Sequence, residues 1–112
     1  MLPKSARLSS EREIKKTLKD KQYESKGPLL YVAANENSLS ESRLAVVIPK
    51  KLGKAVARNR VRRVFQAAFD NIRRKIAKNI DIVVFPRSAA FGLKTPDIEA
   101  GLVKCLSRIK LH

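Results

Sequence analysis

Cysteine, histidine and tryptophan are nearly missing from this chain of 112 residues. It has one cysteine, one histidine and no tryptophan. A single cysteine forms no internal disulfide and cannot supply a Cys-x-x-Cys metal motif, so we expect a protein of the reducing cytoplasm. The histidine is the terminal residue, His112, and the acids are scattered along the chain. This pattern predicts no metal site and no self-contained active site in the protein.

Long apolar runs are missing as well. A membrane-spanning helix needs about 18 or more consecutive apolar residues, and an interfacial helix is rich in Trp and Phe. Neither pattern occurs here. The first residues, MLPKSARLSSEREIKK, are basic but lead into no apolar segment. We therefore predict neither a secretory signal nor a membrane partner.

Acidic residues are the third shortage. The chain has 10 Asp and Glu against 25 Lys and Arg, which gives a net charge of +15. A chain so charged repels itself, and binding to a polyanion relieves the repulsion. Because a membrane is excluded, nucleic acid is the expected partner.

Hydrophobic spacing and turn residues predict an order of helix, strand, strand, helix, strand, helix, with room for one further strand. The first helix is expected over residues 10–20, the longest over 55 to about 78, and the last from 96 or 97. Strands are expected in PLLYVAANE, RLAVVIPK and IDIVVFPR, with NENSLSES as a hairpin loop. The last strand is expected to be central, because it is fully apolar in the middle. The prediction is one α+β domain over residues 1–112, in which helices pack on a small mixed sheet.

The residues KKLGKAVARNRVRRVF, at positions 50–65, concentrate the positive charge. Seven of them are Lys or Arg, and no acid lies between Lys50 and Gln66. On a helical wheel Ala57, Val61 and Phe65 fall on a core side, opposite the arginines. A solvated helix face normally mixes Glu with Lys, so this one favours phosphate binding. The candidate nucleic-acid-binding residues are Lys50, Lys51, Lys54, Arg58, Asn59, Arg60, Arg62, Arg63 and Gln66. On charge alone, a DNA-binding or nuclear-localisation role stays open, although the chain has no helix-turn-helix pattern, heptad repeat or zinc ligands.

This arrangement resembles the protein component of bacterial ribonuclease P. The segment KKLGKAVARNRVRR, preceded by RLAVVIP and followed by DIVVFPR, carries the resemblance, and Arg58-Asn59-Arg60 matches the RNR signature of the family. The N-terminal LPKSARL extends the resemblance over nearly the whole chain. Gln66 and Ala67 depart from it, since Arg-Glu commonly follows the basic run in the family.

The resemblance implies an accessory, RNA-binding subunit of a ribonucleoprotein endonuclease that removes the 5′ leader from precursor tRNA. The chemistry would be carried by a large catalytic RNA, with Mg²⁺ held mainly by that RNA and none bound by the protein alone. The RNR helix would lie against the catalytic RNA, with no obligate protein partner. The implied fold is an α/β sandwich with a left-handed β-α-β crossover.

The resemblance also implies a cleft between the first helix and the sheet that holds the single-stranded leader. Ile14 and Leu18 stand at helix positions that are often aromatic in the family, and Tyr31 lies within one residue of a strand tyrosine of the family. Core packing is the alternative role for all three. A one-residue shift of the strand would turn Tyr31 to the other face.

Two rival functions share parts of this pattern. A basic ribosomal protein would have the same charge, size and α+β build, and it would sediment with ribosomal subunits. A free-standing nuclease would cleave RNA without an RNA subunit.

Overall fold

The computed structural model describes residues 2–111, and it confirms the predicted α+β class and the predicted order of elements. Short 3-10 turns connect longer elements, which in chain order are α1 (Glu11–Lys19), β1 (Tyr23–Lys26), β2 (Leu30–Glu36), β3 (Arg43–Val46), α2 (Ala55–Ile72), β4 (Ile80–Pro86) and α3 (Thr95–Arg108). The additional strand is β1, which the sequence did not locate because YESK has no apolar run. No helix within residues 2–111 is long and apolar enough to cross a membrane.

The strands form one mixed sheet in the order β1-β2-β4-β3. Strand β4 is antiparallel to β2 and parallel to β3, so that Ile82 lies between Ala34 and Leu44. The prediction that the last strand is central is therefore confirmed. The handedness of the β3-α2-β4 crossover remains a prediction.

The predicted hairpin between β2 and β3 is wrong, because β4 lies between these strands. The polar segment 37–42 is bonded instead to the start of β4. Asn37 N donates to Asn79 O at 3.1 Å, and Asn79 Nδ2 donates to Leu39 O at 2.8 Å. Ser42 Oγ accepts from Ile80 N at 3.0 Å. These bonds carry the chain across the end of the sheet rather than back along β2.

Helices cover both faces of the sheet. Helices α2 and α3 bury the larger core, in which Phe65, Phe69 and Leu102 meet Val32 and Val84. Helix α1 covers the opposite face, where Ile14 and Leu18 pack in a second cluster with Leu8, Ala45, Val83 and Phe85. Successive strand residues point to opposite faces, so Tyr31 and Phe85 share the α1 side.

The helix ends explain two differences from the predicted bounds. Helix α1 starts after Ser10, whose Oγ accepts from Glu13 N at 3.4 Å. Helix α2 ends at Ile72 and not near residue 78, because Arg73–Lys75 tighten into a 3-10 turn. Ile76 is extended after that turn yet still buried, which is why helical spacing continued in the sequence beyond the helix.

Candidate nucleic-acid interface

Three lysines lie just before helix α2, whose first-turn N–H groups have no partner within the helix. Lys50 and Lys51 are exposed in the 3-10 turn Lys50–Leu52, and Lys54 is the N-cap residue of α2. The Lys54 side chain makes no capping bond, and the first turn carries no acid. The positive end of the helix dipole and three ammonium groups therefore act together on any anion that binds here.

The side chains of the RNR signature differ in how far they are already engaged. Arg58 is half-buried, and its Nε donates to Gly53 O at 3.1 Å, which fixes the preceding loop against the helix. Asn59 Oδ1 accepts from Arg62 Nη1 at 3.0 Å. Arg60 is exposed, and so is Arg63, one turn later on the helix. These last two guanidinium groups are the most accessible for phosphate.

The positive charge of this surface is uncompensated. We call it the basic face and define it by the nine predicted residues, Lys50, Lys51, Lys54, Arg58, Asn59, Arg60, Arg62, Arg63 and Gln66. Its seven cations form no salt bridge with any residue that the structure describes, 2–111. Further along, Arg73 Nε bonds Asp70 Oδ1 at 2.8 Å, so charge pairing resumes at Asp70, after Gln66. The structure brings the predicted residues together on one helix and its entrance.

The other predicted site lies on the opposite face of the sheet, beside α1. Ile14 and Leu18 are half-buried against Val83 and Phe85. The rings of Tyr31 and Phe85 meet with centroids 5.7 Å apart and planes at 46°. All three predicted residues thus share one wall, and each is only partly buried. Sequence reasoning missed Phe85, although its position in the alternation of IDIVVFP places it on the face opposite Ile82 and Val84.

Tyr31 is held in place by Glu24 of the neighbouring strand. Its hydroxyl donates a hydrogen bond to Glu24 Oε2. Partial burial and this hydrogen bond raise the pKa of Tyr31 to about 12. The same bond is the main reason that the pKa of Glu24 lies below its usual value. The phenol is therefore neutral at physiological pH and its ring is fixed at the edge of the cleft.

An ion-pair network closes one end of this cleft. Arg43 Nε and Nη2 donate to the two oxygens of Asp81 at 2.8 and 2.7 Å, and Nη2 also donates to Glu13 Oε2 at 2.7 Å. The bonds to Asp81 are the main reason that the pKa of Arg43 is raised. The network ties α1 to β3 and β4 beside a polar recess of about 330 Å³ lined by Thr17 and Asn35. An acidic residue such as Asp81, inside an otherwise apolar strand, needs a polar partner when it is buried. The position of Asp81 was therefore the signal in the sequence for this ion-pair network.

The acids of the cleft do not suit a divalent cation. Asp81 and Glu13 already bind the guanidinium of Arg43, which a metal ion would have to displace. Within residues 2–111 no three His, Cys, Asp or Glu side chains form a cluster that could hold a metal ion.

Comparison with known proteins identifies the family. The family model described as Ribonuclease P matches residues 2–110. The chain belongs to the ribonuclease P protein family. The ribonuclease P protein component of Clostridioides difficile is 31% identical over 103 residues, which cover 90% of this chain and 89% of that protein.

Solved ribonuclease P proteins share the fold over nearly the full length. The protein from Thermotoga maritima has a TM-score of 0.81 and 30% identity, covering 93% of this chain and 97% of that one. A Staphylococcus aureus RNase P protein mutant with defective mRNA degradation activity has a TM-score of 0.85 and 26% identity, covering 97% and 92%. The chain is therefore a protein subunit of ribonuclease P, an endoribonuclease of tRNA processing, and the ribosomal alternative is set aside.

Proposed function

We propose that the basic face binds the catalytic RNA of ribonuclease P. The observation that carries this proposal is the set of seven cations, on one helix and its entrance, that have no acid partner within residues 2–111. Keeping like charges at i, i+4, such as Arg58 and Arg62, costs a few tenths of a kcal/mol per pair in the free protein. Phosphates remove that cost, and the guanidinium forks of Arg60 and Arg63 match their geometry.

The cleft beside α1 receives the single-stranded 5′ leader of precursor tRNA. Its wall offers two aromatic rings, Tyr31 and Phe85, and the apolar side chains of Ile14 and Leu18. Unpaired bases stack on aromatic rings, whereas a duplex hides its base faces. The Arg43 network fixes the spacing between α1 and the sheet, so the cleft is held open before the leader arrives.

The protein contributes binding and positioning, and the RNA carries the bond cleavage. Mg²⁺ held by the catalytic RNA supplies the metal chemistry at the scissile phosphate. The protein's own residues hold the catalytic RNA on one side of the sheet and the leader on the other, which positions the substrate. It works in the cytoplasm with RNA and requires no second protein.

Matched charge variants test the basic face. Arg60→Gln and Arg63→Gln each remove one exposed charge from α2, while Lys19→Gln removes one from the last turn of α1 on the opposite side of the sheet. The affinity for the catalytic RNA is measured across a range of salt concentrations. Each arginine variant is expected to bind more weakly and to lower the log–log salt slope by about one phosphate.

The control keeps the same net charge as the arginine variants. Lys19→Gln is expected to leave the salt slope at the parent value. Equal slopes for all three variants would show that only net charge matters, and the basic face would then not be the RNA-binding surface.

A further inference from the structure

An apolar recess opens beside the first turn of α2. It has a volume of about 420 Å³ and lies between Val56 of the helix and the loop at Phe91 and Gly92. Val56 is 81% exposed, the most exposed large apolar side chain within residues 2–111. A single exposed valine is ordinary, but here it lies beside a half-exposed aromatic ring.

One glycine, Gly92, lines the recess, and a second, Gly53, supports the aromatic ring of its wall. Phe91 lies against Gly53, where an added Cβ would be only 3.3 Å from Phe91 Cε2. The backbone of Phe91 is fixed by a hydrogen bond from Phe91 N to Ser88 O at 3.1 Å. Gly92 has a positive φ of 84°, and nothing lies within 4 Å of the place where its Cβ would be. One side of the ring is therefore supported and the loop beside it leaves open space.

The charges around the recess are all positive. Lys54 and Arg60 are among its lining residues, and no acid is. An apolar surface flanked only by cations suits a nucleotide, whose base is flat and apolar on its faces and whose phosphates are anionic. A neutral peptide would leave these cations without a fixed partner.

We propose that this recess takes one unpaired base of the catalytic RNA, stacked on Phe91 and Val56, with its phosphates held by Lys54 and Arg60. The inference rests on the proposed function, because the recess is continuous with the basic face through Arg60. It adds a base contact to a surface otherwise described by phosphate contacts alone.

The absence of tryptophan from the chain permits a direct optical test. In Phe91→Trp the new indole is the only tryptophan, and stacking by a base is expected to quench its fluorescence when the catalytic RNA is added. Leu39→Trp places an indole at the other exposed large apolar side chain, in segment 37–42. Its fluorescence is expected to stay unchanged. An unquenched indole at position 91, or equal quenching at position 39, would overturn the proposal.

An affinity measurement keeps the test independent of folding. Alanine is a better helix former than valine, so Val56→Ala leaves the helix at least as stable. The variant is expected to bind the catalytic RNA about threefold more weakly with an unchanged salt slope, because apolar contact but no charge is lost. Phe91→Ala is expected to bind the catalytic RNA about tenfold more weakly. Parent-like affinity in both variants would refute the base site, whereas a parent protein that fails to bind the RNA would refute the basic face itself.

Discussion

Removing the carboxylate of Asp81 is expected to be far more harmful than removing that of Glu13, although both bind the same guanidinium. The side chains of the Arg43–Asp81 pair are 18% and 13% exposed, and Asp81 receives two of the three bonds from Arg43. Glu13 is 46% exposed and receives one. Breaking a buried pair costs roughly 3–5 kcal/mol, and an exposed pair contributes about 1 kcal/mol or less.

We therefore expect Asp81→Ala to lower the free energy of unfolding by about 3 kcal/mol, the low end of the range because Arg43 keeps Glu13. Glu13→Ala is expected to lower it by less than about 1 kcal/mol. Urea unfolding followed by circular dichroism measures both values at fixed pH and salt. In the double variant with Arg43→Met, the Asp81→Ala effect is expected to shrink by at least about 1 kcal/mol.

Equal costs for Asp81→Ala and Glu13→Ala would refute this reasoning, since burial would then not decide the strength of the two ion pairs. Strict additivity of Arg43→Met and Asp81→Ala would refute the pairing itself. Either result would leave the spacing between α1 and the sheet without its proposed cause.

Three further predictions concern the cleft and the core. The pKa of Tyr31 is raised from 10.0 to about 12, so the contribution of Tyr31 to stability is present below pH 10 and is lost as the pH rises towards 12. Tyr31→Phe should abolish a phenolate absorbance step near pH 12. An unchanged absorbance titration in this variant would contradict the shift. Phe85→Ala should weaken binding of a precursor tRNA with a leader about tenfold while leaving a leaderless tRNA unaffected, and equal losses for both would place the leader elsewhere. Phe65→Ala removes a ring that is 0% exposed and should cost about 3–5 kcal/mol in urea unfolding; a cost below about 1 kcal/mol would contradict its place in the core.

The helices could be predicted from the sequence because their signals are local. Ser10 with Glu13 marks the start of α1, and the apolar stripe through Val61 and Phe65 marks the buried side of α2. The helical spacing of the last helix likewise places its buried side, which includes Cys105, against the larger core. The end of α2 was missed because Ile76 continues the helical spacing from an extended segment that enters the same core.

Strand pairing was harder to predict because it depends on contacts between distant residues. Nothing local in NENSLSES distinguishes a hairpin loop from a segment bonded to Asn79 and Ile80. The predicted set of cleft residues was incomplete for the same reason. Phe85 and Tyr31 are neighbours only because β4 pairs with β2 in this register. The basic face, in contrast, lies on one helix and its entrance, so its residues could be grouped from their spacing in the sequence, and their role in RNA binding stays a prediction.

The two proposed surfaces lie on opposite sides of the sheet and are connected by β3. Arg43 at its start belongs to the network that closes the cleft, and the chain beyond Val46 leads within a few residues to Lys50 of the basic face. Under the proposed function, one rigid sheet would fix the position of the leader relative to the catalytic RNA. This geometry fits the proposed role of the protein in positioning the substrate.

The most direct test of the central claim is cleavage of precursor tRNA at low Mg²⁺ concentration by three preparations: the catalytic RNA alone, the protein alone, and the two combined. We expect that neither component alone removes the leader efficiently and that the combination does. Metal-dependent cleavage by the purified protein without RNA would contradict it, and so would a combination no more active than the RNA alone.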